Sequence, residues 1–301
     1  MSALLAVIGH PVRHSRSPEI HARFAAALGR PVQYVRIEAP LDGFLATVRA
    51  FAAGGCSDAN VDRTGGGAGE HGARAHGCNV TVPFKGEAWA ACARLTERAR
   101  RAEAVNTIHF AEGTGEGWLG DNTDGAGLLR DIEDNAGVAL GGKRVLLLGA
   151  GGAAAGALDA LLGARPAVLI IANRTHGRAQ ALATRFDAIA QGFGVRLDVA
   201  APQAAGIGFD VVVNATSASL QAQLPPLPSG VLARGGLALD MMYGPAAKPF
   251  LEWARRLGAV PRDGLGMLVE QAAEAWVTWF GARPDTRATL AALRRDVDAA
   301  G

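Results

Sequence analysis

Val145-Leu146-Leu147-Leu148-Gly149-Ala150-Gly151-Gly152-Ala153-Ala154 is the stretch on which the fold turns. Four apolar residues in a row suit a strand covered on both faces, a glycine turn follows, and Ala153 to Leu162 continues at helical spacing. Gly149 serves a tight turn, Gly151 lets a pyrophosphate approach the backbone, and Ala154 lets the helix pack closely on the sheet. The first turn of such a helix offers unpaired N–H groups to phosphate. Glycine is common in this chain, 40 of 301 residues, so the spacing alone is weak. Its place between strand and helix makes it a dinucleotide signal, with Gly149, Ala150, Gly151, Gly152 and Ala153 as cofactor residues.

Working outward, Val168 to Ala172 reads as the next strand and Arg178 to Phe186 as a helix. Val211 to Asn214 and Leu237 to Asp240 read as later strands. An NAD site places a carboxylate about 20 residues past the glycine turn. Here stand Asn173, Arg174 and Thr175, with Arg178 close behind. A guanidinium pairs with a 2′-phosphate through its planar fork, so the cofactor is expected to be NADP. Toward the N-terminus the same alternation appears: strands over 4–8 and 32–37, and helices over 19–28 and 41–53. Alternating elements of this kind place the chain in the α/β class.

Gly54 to Gly77 breaks the rhythm. It holds eight glycines and no aromatic residue, too little apolar surface to offset ordering, and is expected to be largely a loop. Within it Asp58-Ala59-Asn60-Val61 echoes Gly77-Cys78-Asn79-Val80. Only the second copy continues into Thr81-Val82-Pro83-Phe84-Lys85, so Asn79 rather than Asn60 is the site residue. A strand near 107–110, a polar turn over 120–125, a helix from Ala126 to Glu133, and closing helices over 264–280 and 287–297 complete the reading.

Composition removes other classes. The chain is 49% hydrophobic and 19% charged, with net charge +2, which is globular and gives no basic nucleic-acid face. Seven histidines fall without metal-ligand spacing, so no metal is expected. Cys56, Cys78 and Cys92 form no disulfide framework. No apolar run is long enough to span a membrane and no signal peptide is evident, so the expected location is cytoplasmic. The 30 basic residues include only three lysines, Lys85, Lys143 and Lys248.

Seven ordered motifs sharpen this. They are His14-Ser15-Arg16-Ser17-Pro18, Asn79-Val80-Thr81-Val82-Pro83-Phe84-Lys85, Ala104-Val105-Asn106-Thr107, Gly120-Asp121-Asn122-Thr123-Asp124-Gly125, Asn173-Arg174-Thr175, Asn214-Ala215-Thr216-Ser217 and Asp263-Gly264-Leu265-Gly266-Met267. With them the chain resembles the shikimate dehydrogenase family over nearly its whole length. The resemblance implies an α/β substrate domain with a mixed sheet over 1–120, completed by the helices over 264–301, and a Rossmann NADP-binding domain over 121–263. It implies NADPH-dependent reduction of 3-dehydroshikimate to shikimate. Lys85 would donate the proton and Asp121 would orient it. Ser15 and Ser17 would hold the substrate carboxylate with help from Tyr243, and Asn79, Thr81, Asn106 and Gln271 would meet the hydroxyls and ring edge. Met241 and Gly264 would border the nicotinamide, and Glu97 matches a position near the cofactor. Hinge closure and a homodimer are compatible with this reading, which assigns no nucleic-acid or membrane partner. Three rivals stay open: a quinate/shikimate dehydrogenase of broader cofactor use, a methylenetetrahydrofolate dehydrogenase, and a non-catalytic NADPH-binding regulator.

Overall fold

A computed structural model describes residues 2–54, 61–62, 75–110, 117–216 and 226–300. Cys56, Asn60, Ser217 and most of the expected 54–77 loop lie outside the described residues. The chain divides into two compact units, one of residues 1–123 and 271–289, the other of residues 124–270 and 290–301.

The first unit contains β1 (Ala3–Gly9), α1 (Ser17–Leu28), β2 (Val32–Glu38), α2 (Phe44–Ala52), β3 (Val61–Asp62), β4 (Ala75–Val80), α3 (Lys85–Ala91), β5 (Arg94–Leu95), α4 (Glu97–Ala102), β6 (Thr107–His109) and β7 (Leu119–Asp121). They form a seven-stranded sheet in the order β3-β2-β1-β4-β6-β7-β5. β1 runs parallel to β2 and β4, while β6 is antiparallel to both β4 and β7, so the sheet is mixed as expected. Side chains of β1 alternate between two apolar layers. Leu4, Ala6 and Ile8 meet Phe44, Phe84 and Trp118 on one face. Leu5 and Val7 meet Tyr34 and Trp279 on the other. A strand covered on both faces has to be apolar at every position, which is why Leu4 to Ile8 reads as a continuous run.

The second unit contains α5 (Asp124–Arg130), β8 (Arg144–Leu148), α6 (Gly152–Gly163), β9 (Val168–Ala172), α7 (His176–Phe193), β10 (Arg196–Ala200), β11 (Phe209–Asn214), β12 (Leu232–Asp240), α8 (Lys248–Arg256) and β13 (Val260–Arg262). Its six strands are all parallel, in the order β10-β9-β8-β11-β12-β13. Numbered within the unit this is 3-2-1-4-5-6, the Rossmann order, with the crevice at the reversal between β8 and β11. Val145 and Leu147 pack with Leu158, Leu161 and Phe186. Leu146 and Leu148 pack with Phe209 and Phe250. Two helices, α9 (Leu265–Phe280) and α10 (Arg287–Ala300), close the chain.

Several local expectations change. Within the stretch read as a loop, Val61–Asp62 pairs antiparallel with the edge of β2, and β4 begins at Ala75. An edge strand needs only its backbone groups satisfied, so a two-residue pair with no apolar run around it can serve. The polar turn over 120–125 instead starts inside β7 and enters α5 at Asp124. β10 and β13 are not legible in the sequence because they are short and half-exposed, and α8, though amphipathic, spans only nine residues and buries only Phe250 and Ala254. The units divide at 123/124 and within α9 and α10, where the sequence reading set a boundary at 120/121 and gave both closing helices whole to the first domain.

Leu147 is fully buried in the central strand, so truncating it leaves a cavity in the core. Leu147→Ala should lower unfolding free energy by about 2–5 kcal/mol, read from urea melts.

Candidate active site

In the second unit, β8 ends at Gly149, whose φ of 108° lies in the region that favours glycine. Its N–H donates to the Ala172 carbonyl at 2.8 Å, and a Cβ there would crowd the Ala215 carbonyl. Gly151 caps α6 in extended conformation. A Cβ built on Gly151 or Gly152 would meet nothing within 4 Å, so the backbone ahead of the helix is open to a ligand. Ala154 is fully buried against the sheet. The first turn of α6 thus presents N–H groups to open space, as a phosphate requires. Past β9 the Asn173 amide donates to the Thr175 carbonyl at 2.8 Å, and Arg174, Thr175 and Arg178 are exposed. These residues fit a dinucleotide bearing a 2′-phosphate. Glu97 belongs to the first unit instead, where it is exposed at the start of α4 and pairs with Arg100 and Arg101 of its own helix.

Further along the same C-terminal edge of the parallel sheet, past β12 and β13, stand Met241, Tyr243 and Gly264. Gly264 N–H donates to the Met242 carbonyl at 2.9 Å, and a Cβ at Gly264 would run into the Met241 carbonyl. Only glycine lets these two segments touch.

In the first unit, a connected set of neutral polar groups surrounds Asn79. The Tyr34 hydroxyl donates to Asn79 Oδ1 at 2.7 Å, while Asn79 Nδ2 donates to the Asn106 carbonyl at 3.2 Å and to Thr107 Oγ1 at 3.0 Å. Asn106 Nδ2 donates to Thr123 Oγ1 at 3.0 Å and to Gln271 Oε1 at 3.4 Å, and its Oδ1 accepts from the Thr123 N–H at 2.9 Å. Ser15 Oγ donates to Ser17 Oγ at 3.1 Å, with Ser17 at the first position of α1. Burial pushes the Tyr34 phenol well up, against a hydrogen bond from Ser17, so it stays protonated. His21 is stacked on Tyr34 at 4.5 Å, and burial pulls its pKa down to about 3, so it stays neutral. Thr81 follows β4, its N–H bonded to the Ile8 carbonyl. Lys85 opens α3, and its carbonyl accepts from the Val105 N–H at 2.9 Å, one residue before Asn106.

Asp121 does not fit the role expected of it. Its Oδ1 accepts from Thr96 Oγ1 at 2.6 Å, Arg98 Nε at 2.7 Å and the Asn122 N–H at 2.7 Å. Its Oδ2 accepts from Arg98 Nη2 at 2.6 Å and Thr278 Oγ1 at 2.8 Å. A carboxylate offers roughly four lone-pair sites, and five donors already converge on this one. Orientation of the Lys85 ammonium by Asp121 is therefore corrected: the carboxylate is saturated by Arg98 and its neighbours. Burial raises its pKa, but the hydrogen bonds and charge of Arg98, with Thr96 and Thr278, outweigh that and hold it below its ordinary value. The motif's other carboxylate, Asp124, is buried at the first position of α5.

Tyr34, Thr123, Arg98 and Thr278 escape a reading of the sequence. Tyr34 is one of only two tyrosines and sits where β2 faces inward, a usable signal. Arg98 and Thr278 give none, because each looks like an ordinary helix residue.

A Rossmann sheet with an open glycine turn, in a chain whose other unit carries a buried neutral polar site, defines a nicotinamide-dependent oxidoreductase. The substrate-binding domain model of shikimate dehydrogenase matches residues 7–62 and 68–108, the shikimate/quinate 5-dehydrogenase model residues 132–222, and the shikimate 5′-dehydrogenase C-terminal domain model residues 264–294. The chain is 56% identical to the shikimate dehydrogenase (NADP(+)) of Methylibium petroleiphilum, over 98% of this chain and 95% of that one. Among solved structures it resembles an Ael1 enzyme from Pseudomonas putida (44% identity, TM-score 0.82, 97% and 98% of the two chains). It also resembles a Thermus thermophilus shikimate 5-dehydrogenase in complex with NADP(H) and shikimate (32% identity, TM-score 0.76, 97% and 99%). The chain belongs to the shikimate dehydrogenase family.

Asp121→Asn should cost about 3 kcal/mol, at the lower end for a buried pair because 30% of the Arg98 side chain stays exposed. Because the folded-state pKa is depressed, the contribution of Asp121 is full above about pH 4 and is lost as pH falls toward that lowered value. Urea melts from pH 7 to pH 2.5 should show the substituted protein losing less stability in acid than the parent.

Proposed function

We propose that this protein reduces 3-dehydroshikimate to shikimate with NADPH, in the cytoplasm, as a step of aromatic amino-acid biosynthesis. One observation carries the reading: Lys85 is tied through its carbonyl to Val105, beside a buried network of neutral amides and hydroxyls from Asn79, Asn106, Thr123 and Gln271. A lysine at the first position of a helix gains nothing from the helix dipole, so helix stability does not account for it. A small polyhydroxylated acid needs many uncharged donors and acceptors, and a site built that way rejects analogues lacking a hydroxyl. Ser15 and Ser17, at the N-terminus of α1, suit its carboxylate. Tyr243 is assigned to the same end, and Thr81 to the hydroxyls.

NADPH, when bound, supplies the hydride to the ketone carbon. As the carbonyl π electrons move onto oxygen, the Lys85 ammonium gives that oxygen a proton, and takes one back in the reverse direction. With Asp121 saturated, we assign the partner carboxylate of this proton transfer to Asp124, and to Asp121 the anchoring of the turn that carries it. A quinate-using enzyme and a non-catalytic NADPH-binding protein remain outcomes of the assay.

The deciding experiment follows absorbance of the reduced nicotinamide with 3-dehydroshikimate or 3-dehydroquinate, and with NADPH or NADH. Turnover only with the quinate-series ketone, or with none, would overturn the proposal. Lys85→Ala should lower kcat by about 10²- to 10⁴-fold, and Lys85→Arg should do nearly as badly, since a guanidinium keeps its proton. Near-normal turnover by Lys85→Arg would reduce Lys85 to an electrostatic role. Asp124→Asn should cut turnover far more than its effect on stability predicts, with the reverse balance for Asp121→Asn.

Arg174→Ala should weaken NADP by about 10- to 100-fold, the worth of one charge-assisted contact, while leaving NAD nearly unchanged. Equal losses for both cofactors would mean that Arg174 does not read the phosphate.

A further inference from the structure

Asp263 is buried at the entrance to α9, and the proposed proton transfer does not use it. Its Oδ1 accepts from the Leu265 N–H at 3.3 Å and from Arg294 Nη2 at 2.5 Å. Its Oδ2 accepts from the Gly244 N–H at 3.4 Å and from Arg294 Nη1 at 2.9 Å. One carboxylate thus gathers three segments of the second unit: the turn after β12, the start of α9, and α10. The gathered turns hold Met241, Tyr243 and Gly264. Met241 N–H is fixed on the Asn214 carbonyl at 3.0 Å, Met242 N–H on Asp240 Oδ1 at 2.8 Å, and Gly264 N–H on the Met242 carbonyl. The backbone along this edge is therefore locked by hydrogen bonds, and the Asp263–Arg294 fork closes it from the C-terminal helix. Side-chain entropy and partial exposure work against holding an arginine here; two parallel charge-assisted bonds to a buried carboxylate outweigh them. Burial favours the neutral acid at Asp263, and Arg294 reverses that, so the carboxylate stays charged.

We propose that Asp263 and Arg294 are positioning residues for the nicotinamide half of the cofactor, through which α10 sets the edge formed by Met241, Tyr243 and Gly264. This rests on the reading that NADP binds the second unit with its nicotinamide at that edge. The adenosine half would bind at Gly149–Ala153 and Arg174, on other turns of the same unit. Loosening the edge should then disturb the reacting ring and spare the phosphate end.

The test compares the full-length parent with Arg294→Ala and Arg294→Lys. It measures kcat and KM for NADPH, the Kd of NADP⁺, the Kd of adenosine 2′,5′-bisphosphate (which lacks the nicotinamide) and thermal stability. Arg294→Ala is expected to lower kcat by about 10- to 100-fold, as a misplacement of about 1 Å in the reacting pair can. Its affinity for adenosine 2′,5′-bisphosphate should stay within about twofold of the parent, since that half makes none of these contacts. Arg294→Lys should recover part of the rate, because an ammonium supplies charge without the two-point fork. Parallel losses for NADP⁺ and the bisphosphate, tracking a fall in melting temperature, would show a merely structural pair and overturn the inference. Unchanged kcat and NADP⁺ affinity in both variants would overturn it as well. Absent binding of both nucleotides by the unsubstituted protein would instead overturn the cofactor reading, and this inference with it.

Discussion

A carboxylate removed from water must be met by enough donors to replace its hydration, and Asp121 draws its donors from across the first unit. Arg98 reaches it from α4, Thr96 from the cap of the same helix, Thr278 from α9, and Asn122 from the backbone of the next residue. The strand end carrying Gly120 to Thr123 is thereby held at several points, and Asn106 takes the Thr123 N–H while its own N–H rests on the Asp121 carbonyl. Remove the charge at Asp121 and every one of these segments loses a shared anchor. The polar network around Asn79 and Gln271 is built onto that fixed edge.

The same device recurs in the second unit. Arg262 forks onto Asp131, which is fully buried, at 2.8 and 2.6 Å, and Arg294 forks onto Asp263. In each case a planar guanidinium satisfies both oxygens at once, which an ammonium cannot do. This gives physical sense to a chain with three lysines among 30 basic residues. Where charge serves architecture, arginine is the better residue. A proton must be able to leave where Lys85 stands in the proposed reaction, and there arginine would fail.

Legibility in the sequence follows the same division. β8 and the Gly149 turn can be read because a doubly covered strand and a phosphate-ready helix start impose apolar continuity and glycine at fixed places. Asn79 stands out over its echo at Asn60 because only one copy runs on into Pro83 and Lys85. Asp121 misleads because the motif Gly120-Asp121-Asn122-Thr123-Asp124 contains two carboxylates, and spacing along the chain does not say which one a distant arginine claims. Arg98 lies 23 residues away and Thr278 lies 157. Long-range donors to a buried acid leave no local periodicity behind them.

That asymmetry bears on how the site is built. Residues proposed to touch ligand, such as Ser15, Ser17, Thr81 and Gly151, sit in loops and at helix starts, where turn chemistry constrains the sequence locally. Those that brace the surrounding framework, Tyr34 at Asn79, Arg98 and Thr278 at Asp121, and Arg294 at Asp263, sit inside regular elements. Tyr34 fixes the Asn79 amide by donating to its oxygen, which commits Nδ2 to Thr107 and the Asn106 carbonyl and leaves the amide no freedom to flip. A neutral network of this kind gains its direction from its supports. In it the identity of a supporting residue matters as much as that of the group it supports.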